Sequence, residues 1–380
     1  MNNIYYITRS YTHTSFSGGA IMREGAVNLL RQRGFNVIVV TVAASLDSEV
    51  FSDDFISIYP GRIPEKIRRN LQRINLLPDY LASWANKAAK YLIGHVRSND
   101  IIFCSTGGDL ASLMVGSAVK DEVGSKFIAN FRDPVSYTSY YGERLGKYTN
   151  FSRNKVFSKY LDNVDVIVTS CNSYKAYLDT WTGSKVVTNH FGYIDSTVIP
   201  CDFSKRKEKK LLTAFYGGTL EKYQNPGLVS NFFSSCKGVS LDVYGHSGSK
   251  IKIKSNISFY NSIPREQFLE KVVDSYDFGF VSLGYDYFGA CIPSKIYEYI
   301  NLGVPIFGFL PRGEARDIVN DNNFGYVALP NSINDLKNKL QYISSNQSEL
   351  LIINENILRS RKSWSMSSKI DGLIEILNEV

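Results

Sequence analysis

The stretch PSKIYEYINLGVP, from Pro293 to Pro305, sets three polar side chains inside what otherwise reads as a buried helix leading to a strand. At about 100° per residue, Ser294, Lys295 and Glu298 fall within one stripe, with Ile296 and Ile300 on the opposite side. A carboxylate so placed can accept hydrogen bonds from two sugar hydroxyls, each worth roughly 1.5–3 kcal/mol because the acceptor is charged. The Lys295 ammonium and the helix end can then hold phosphate. The competing reading is an exposed Lys295 and Glu298 pair at helix spacing, worth only about a few tenths of a kcal/mol.

Further candidates stand just after apolar runs. In FYGGTLEKYQNPG, Gly217 and Gly218 precede Lys222, and a glycine turn followed by a lysine suits a diphosphate. A surface turn with a solvated lysine is the equal alternative, and the spacing is not that of a Walker loop. In RSYTHTSFSGGAIMREG, Gly18 and Gly19 open a helix, where backbone amides and the helix dipole favour an anion. Paired glycines are also ordinary loop punctuation. No G-x-G-x-x-G follows any strand, which disfavours a nicotinamide or flavin dinucleotide. In NFRDPVSY, Asp133 ends a strand with Arg132 beside it, and a cap before Pro134 is the alternative. His13 and His246 lie in loops and can orient a hydroxyl or a nucleotide, an ordinary loop histidine being the simpler reading.

The elements that must position these residues alternate. Runs rich in Ile, Val, Phe and Tyr (3–8, 35–42, 100–106, 126–131, 165–170, 185–191) are separated by helix-length segments such as AIMREGAVNLLRQRG, stopped at Gly34. Strands buried on both faces and joined by helices predict a parallel, doubly wound sheet. A charged segment, PCDFSKRKEKK (200–210), reads as a linker. A second alternating series follows, then a helical tail from about Ser344. Two α/β units are therefore expected, with ligands in a cleft at the carboxyl ends of their strands.

A chain of 380 residues supports two cores, and no apolar run reaches the ~18 residues of a membrane span. The start, MNNIYYITRS, reads as a strand rather than a secretory signal. Five scattered cysteines without C-x-x-C spacing argue against a disulfide framework or zinc site and fit a reducing cytoplasm. The net charge of +7 is concentrated in residues 61–97, where eight basic residues face Glu65 and Asp79 and alternate with apolar ones. That pattern suits an anionic membrane surface or, equally, a solvated basic helix face. No nucleic-acid-reading motif accompanies the charge, so nucleic acid is not expected as a partner.

The second half resembles the donor-binding domain of family 4 retaining glycosyltransferases of the GT-B fold, in particular bacterial surface-polysaccharide members reading PSK-x-x-EY…G-x-P. FYGGTLEKYQN is similar to that family's phosphate-binding strand and turn. SFSGGA, NFRDP, TNHFGYID and SWS (363–365) are similar to its glycine loop, acidic strand end, domain-closing segment and start of the final helix. The resemblance implies two Rossmann-like domains facing a cleft: residues 1–200 for the acceptor, 211–360 for the nucleotide-sugar donor, and a helix at 361–380 returning to the first. It implies transfer, with retention, from a nucleoside diphosphate sugar, in particular a UDP-sugar, to a lipid-linked saccharide at the inner face of the plasma membrane, without metal or cofactor. Lys222, Asp133 and Arg132 are then catalytic, and Gly18, Gly19, Gly218, Ser294, Lys295 and Glu298 bind the donor. The family often carries a second acid eight positions before Glu298; here Ala290 stands there, leaving the backbone at Gly289 and Ala290 to meet the sugar. The alternatives are a nucleotide-sugar epimerase of the same architecture and a non-catalytic nucleotide-sugar-binding subunit.

Overall fold

The computed structural model describes residues 2–12, 18–134, 157–180, 182–245, 256–285 and 289–380. The chain divides into two compact units, one of 1–191 with 370–380 and one of 192–369. The loop histidines His13 and His246 lie outside the described residues.

The first unit is built on β1 (Asn3–Ile7), β2 (Asn36–Val42), β3 (Val50–Phe51), β4 (Phe55–Ile58), β5 (Ile101–Gly107), β6 (Lys126–Asp133), β7 (Val166–Thr169) and β8 (Lys185–Thr188). Their order in the sheet is β3-β4-β2-β1-β5-β6-β7-β8, parallel except for the β3 and β4 edge hairpin, which the sequence pattern did not reveal. The apolar runs have the burial a doubly covered sheet requires: Ile4 through Ile7 and Ile102 through Thr106 are almost wholly enclosed. Helices α1 (Gly18–Gln32), α2 (Glu65–Arg73), α3 (Ala82–Ile93), α4 (Ala111–Val123) and α5 (Asn172–Leu178) connect these strands. Neighbouring β1 and β5 send their chains away in opposite directions, so the sheet's switch point lies at their carboxyl ends.

The second unit carries β9 (Leu212–Gly217), α6 (Pro226–Ser235), β10 (Val239–Tyr244), β11 (Ile257–Tyr260), α7 (Arg265–Val273), β12 (Phe278–Ser282), α8 (Ser294–Leu302), β13 (Ile306–Phe309), α9 (Glu314–Asp321), β14 (Gly325–Ala328), α10 (Ile333–Ser345) and α11 (Ser348–Ser360). The sheet order is β11-β10-β9-β12-β13-β14, all parallel. Its switch point falls between β9 and β12, which pair only through Ala214 with Phe278 and Phe215 with Gly279 before parting. A floor of edge-to-face rings lies below, with Phe232 on Phe309 at 5.5 Å and Phe233 on Phe280 at 5.0 Å. Segment 200–210 packs within this unit: Cys201 and Phe203 are buried, and Arg206 and Lys209 pair with Asp277 at 3.2 and 3.0 Å. A last helix, α12 (Met366–Glu379), starts in the second unit, and its residues from Ile370 belong with the first.

Candidate functional site

Pro293 precedes Ser294 with extended backbone, its ring pre-setting φ for the start of α8, and Gly303 closes the helix in the left-handed conformation at φ 69°. The helix is more enclosed than an amphipathic stripe predicts. Ile296 and Ile300 are buried, and so are Tyr297, Tyr299 and Asn301, leaving Ser294, Lys295 and Glu298 half-buried. Tyr299 fixes the helix against the sheet by donating to the Phe280 carbonyl at 2.8 Å.

Lys295 runs to the carboxyl end of β9. Its ammonium stands 4.7 Å from the centre of the Tyr216 ring, and a Cβ on Gly218 would lie 3.3 Å from Nζ. Gly218 holds φ at 121°, a conformation closed to most side chains. Burial alone pushes the Lys295 pKa down to about 8. A half-buried cation with an aromatic face and glycine backbone among its described neighbours is a place where an anion lowers the free energy.

Glu298 lies one turn further along α8 and is held in a fork. Arg265, at the start of α7, donates Nε to Oε1 at 2.9 Å and Nη2 to Oε2 at 3.0 Å, and Nη2 also reaches the Ile194 carbonyl at 3.0 Å. Burial pushes the Glu298 carboxyl above its ordinary range while Arg265 pulls it back. The helix-spaced pairing of Glu298 with Lys295 is replaced by this fork. Sequence spacing did not point to Arg265, which lies 33 residues upstream.

Lys222 is exposed, in a short 3-10 turn that starts four residues after Gly218. That turn is tied to the end of β12: Ser282 Oγ donates to the Gln224 carbonyl at 2.6 Å and Gly284 N to the Tyr223 carbonyl at 2.8 Å. Asn225, at φ 50°, then caps α6 through Leu228 N. Gly289 serves a close backbone crossing, since a Cβ there would lie 3.1 Å from the Arg312 carbonyl carbon, and Ala290 beside it is half-buried.

In the first unit, Gly18 is exposed at the start of α1, with no atom of the described residues within 4 Å of where a Cβ would point. The carbonyl of Gly19 accepts from Arg132 Nη1 at 2.6 Å, and the Arg132 guanidinium lies 4.6 Å from the Phe191 ring centre. Asp133 is half-buried at the end of β6, where a register shift in the pairing with β5 brings it opposite Gly107. A Cβ on Gly107 would sit 3.7 Å from Asp133 Oδ2, 3.0 Å from Arg23 Nη2 and 3.7 Å from Arg9 Nη2. The sequence reading did not find Arg9, Arg23 or Gly107. The signal for Arg23 was its place on the apolar stripe Ala20, Val27 and Leu30 of α1, a core position for a charged residue.

Among the described residues no group of three or more His, Cys, Asp or Glu side chains is placed to hold a metal ion, and no helix is long and apolar enough to cross a membrane. In the segment 61–97, Tyr80, Leu81 and Trp84 turn into the core, whereas Ile63, Ile67, Ile74 and Leu76 are exposed beside exposed Arg62, Lys66, Arg69 and Arg73.

Neither the protein-family models nor the curated proteins compared with the chain give a match. Solved structures do. Sucrose-phosphate synthase from Thermosynechococcus elongatus is similar over all of this chain and 99% of its own, with a TM-score of 0.77 at 14% identity. The structure of Anabaena HepE in complex with UDP-glucose is similar over the whole of both chains, with a TM-score of 0.70 at 12% identity. A lipopolysaccharide outer core galactosyltransferase, WaaB, is also similar over both whole chains, with a TM-score of 0.70 at 14% identity. The protein therefore has the GT-B fold of two Rossmann-like α/β units that the sequence led one to expect.

Proposed function

We propose that the protein is a glycosyltransferase that moves a sugar from a UDP-sugar to a lipid-linked saccharide in the assembly of a bacterial surface polysaccharide, with retention of anomeric configuration. The first unit takes the acceptor and the second the donor. The observation that carries this reading is the half-buried Lys295 ammonium over Gly218 at the switch point of the second sheet, one helical turn from a carboxylate. The UDP-glucose complex of a protein with the same fold supports it.

The chemistry follows from charge. As the glycosidic bond breaks, the diphosphate gains negative charge, so Lys295, Lys222 and the amides near Gly218 stabilise the transition state more than the bound donor. Ser294 adds a hydroxyl at the amino end of α8. Glu298, oriented by Arg265, keeps acceptor capacity on both oxygens for the ribose hydroxyls. The backbone at Gly289 and Ala290 meets the donor sugar, and Asp133 with Arg132 meets the acceptor. The two lysines supply the charge that a divalent cation would otherwise bring, so turnover is expected to survive a chelator.

Thermal denaturation with UDP, UDP-sugars and other nucleoside diphosphate sugars tests the donor class, because a ligand of the folded state raises Tm. Glu298→Ala is expected to raise the donor Kd at least about tenfold, on the scale of two lost charged hydrogen bonds. Unchanged donor affinity in Glu298→Ala and Lys295→Met, with both variants folded, would overturn the site. The anomeric configuration of the product, read by NMR, tests retention.

A further inference from the structure

Past the carboxyl ends of β1, β2 and β4 the first unit holds a pocket of about 330 Å³, walled by the segments that follow these strands and by Arg68 of α2. The donor chemistry does not use it. One wall is pinned from α3, where Ser83 Oγ donates to the Pro60 carbonyl at 2.6 Å and Lys87 Nζ to the Tyr59 carbonyl at 2.9 Å. Arg68 is 7% exposed. Its Nε donates to the Ile63 carbonyl at 3.0 Å and its Nη1 to the Tyr80 carbonyl at 2.9 Å. Both acceptors are neutral, and among the described residues Nη2 has no partner and no carboxylate lies within ion-pair distance. The other charges on the wall are Arg9, which faces Asp109 at 3.4 Å, Glu65, which pairs with Arg69 at 2.6 Å, and exposed Arg62, which has no carboxylate partner among the described residues. The pocket is therefore lined by two guanidinium groups without a counter-charge, one of them buried, and an anion entering it is stabilised by both.

The lip of the same pocket is apolar. Ile63 lines it and is 54% exposed, and Ile67, four residues on, is 49% exposed. A small free anion gains nothing from such a lip, whereas a ligand with a charged head and an apolar tail uses both surfaces. Guanidinium groups match the oxygens of a phosphate in particular, through parallel N–H donors. We infer that this pocket takes a phosphate group carried on a lipid, with the head against Arg68 and Arg62 and the chain across Ile63 and Ile67. The inference rests on the reading that the acceptor is lipid-linked, and it assigns the place where the acceptor's lipid end is held.

Calorimetric titration of the full chain with decyl phosphate below its micelle concentration tests the site, with inorganic phosphate and the neutral amphiphile decyl maltoside as separate arms. All are run at constant ionic strength with saturating UDP, which keeps the probes off the donor site. Decyl phosphate is expected to bind one to one, at least about tenfold more tightly than either control. Arg68→Met should raise its Kd at least about tenfold, and Arg68→Lys, which keeps the charge, by less. Because Arg68→Met also removes two carbonyl contacts, a second pair carries the test at exposed Ala44 on the pocket wall. Ala44→Glu should weaken decyl phosphate at least about tenfold relative to Ala44→Gln, which has the same size without the charge. No binding of decyl phosphate, binding no tighter than that of inorganic phosphate or of decyl maltoside, or equal affinity in Ala44→Glu and Ala44→Gln would each overturn the inference. Loss of this binding in a protein whose Tm still rises with UDP removes the lipid phosphate site alone. Binding that depends on Arg68 in a protein indifferent to UDP leaves the site standing and removes the glycosyl-donor reading.

Discussion

At the residue scale, the environment of Lys295 sets both a pH dependence and a stability cost. Its folded pKa of about 8 lies below the ordinary 10.5, so between these values the unfolded chain binds more protons and stability rises with pH. Below pH 8 the penalty is fully present, on the order of 3 kcal/mol. Lys295→Met is therefore expected to raise Tm at pH 7 while weakening UDP at least about tenfold, the two effects having opposite sign and a common cause. In the wild type, kcat/KM for the donor should fall above about pH 8 as the free enzyme loses this proton. A flat profile from pH 7 to 9.5 would show that Lys295 does not meet the diphosphate. Lys222 differs in being exposed, so Lys222→Ala should leave Tm unchanged and chiefly lower kcat, an interaction gained in the transition state.

At the scale of the element, backbone approach decides where side chains are tolerated. Helix α4 packs on the first sheet through Gly116, where a Cβ would stand 2.7 Å from Cys104 Sγ and 2.8 Å from Phe127 Cδ2. An exposed helical glycine changed to alanine gains roughly 1 kcal/mol, but overpacking a close-packed core costs roughly 1–3 kcal/mol. Gly116→Ala should therefore lower the urea midpoint; an increase would mean that the helix can lift off its strand at little cost. The same close approach is legible in part: α8 could be read from Pro293, its polar stripe and Gly303, because caps and periodicity are local signals. The fork from Arg265 could not, since a pair 33 residues apart forms only when α7 and α8 flank β12 in one unit.

For the whole molecule, charge and exposed apolar surface coincide at residues 62–76, where Ile63, Ile67, Ile74 and Leu76 stand among Arg62, Lys66, Arg69 and Arg73. We propose that this surface meets an anionic membrane carrying the acceptor, at about 1 kcal/mol per basic residue near the lipid. Co-sedimentation with phosphatidylglycerol vesicles should exceed that with phosphatidylcholine and decline with salt. The Lys66→Glu, Arg73→Glu pair should reduce it at least about tenfold, and equal sedimentation with both lipids would refute the assignment.

The sequence alone determined the alternation of strand and helix, the two doubly wound units and the strand-end placement of Lys222 and Asp133, because each rests on periodicity, turn chemistry or composition acting over a few residues. The edge hairpin of β3 and β4 escaped because two- and four-residue strands carry too little pattern. Only the tertiary structure decided that Glu298 is gripped by Arg265 and that Arg9, Arg23 and Asp133 converge on Gly107. Those meetings depend on strand order and on a register shift between β5 and β6, both set by packing among residues distant along the chain.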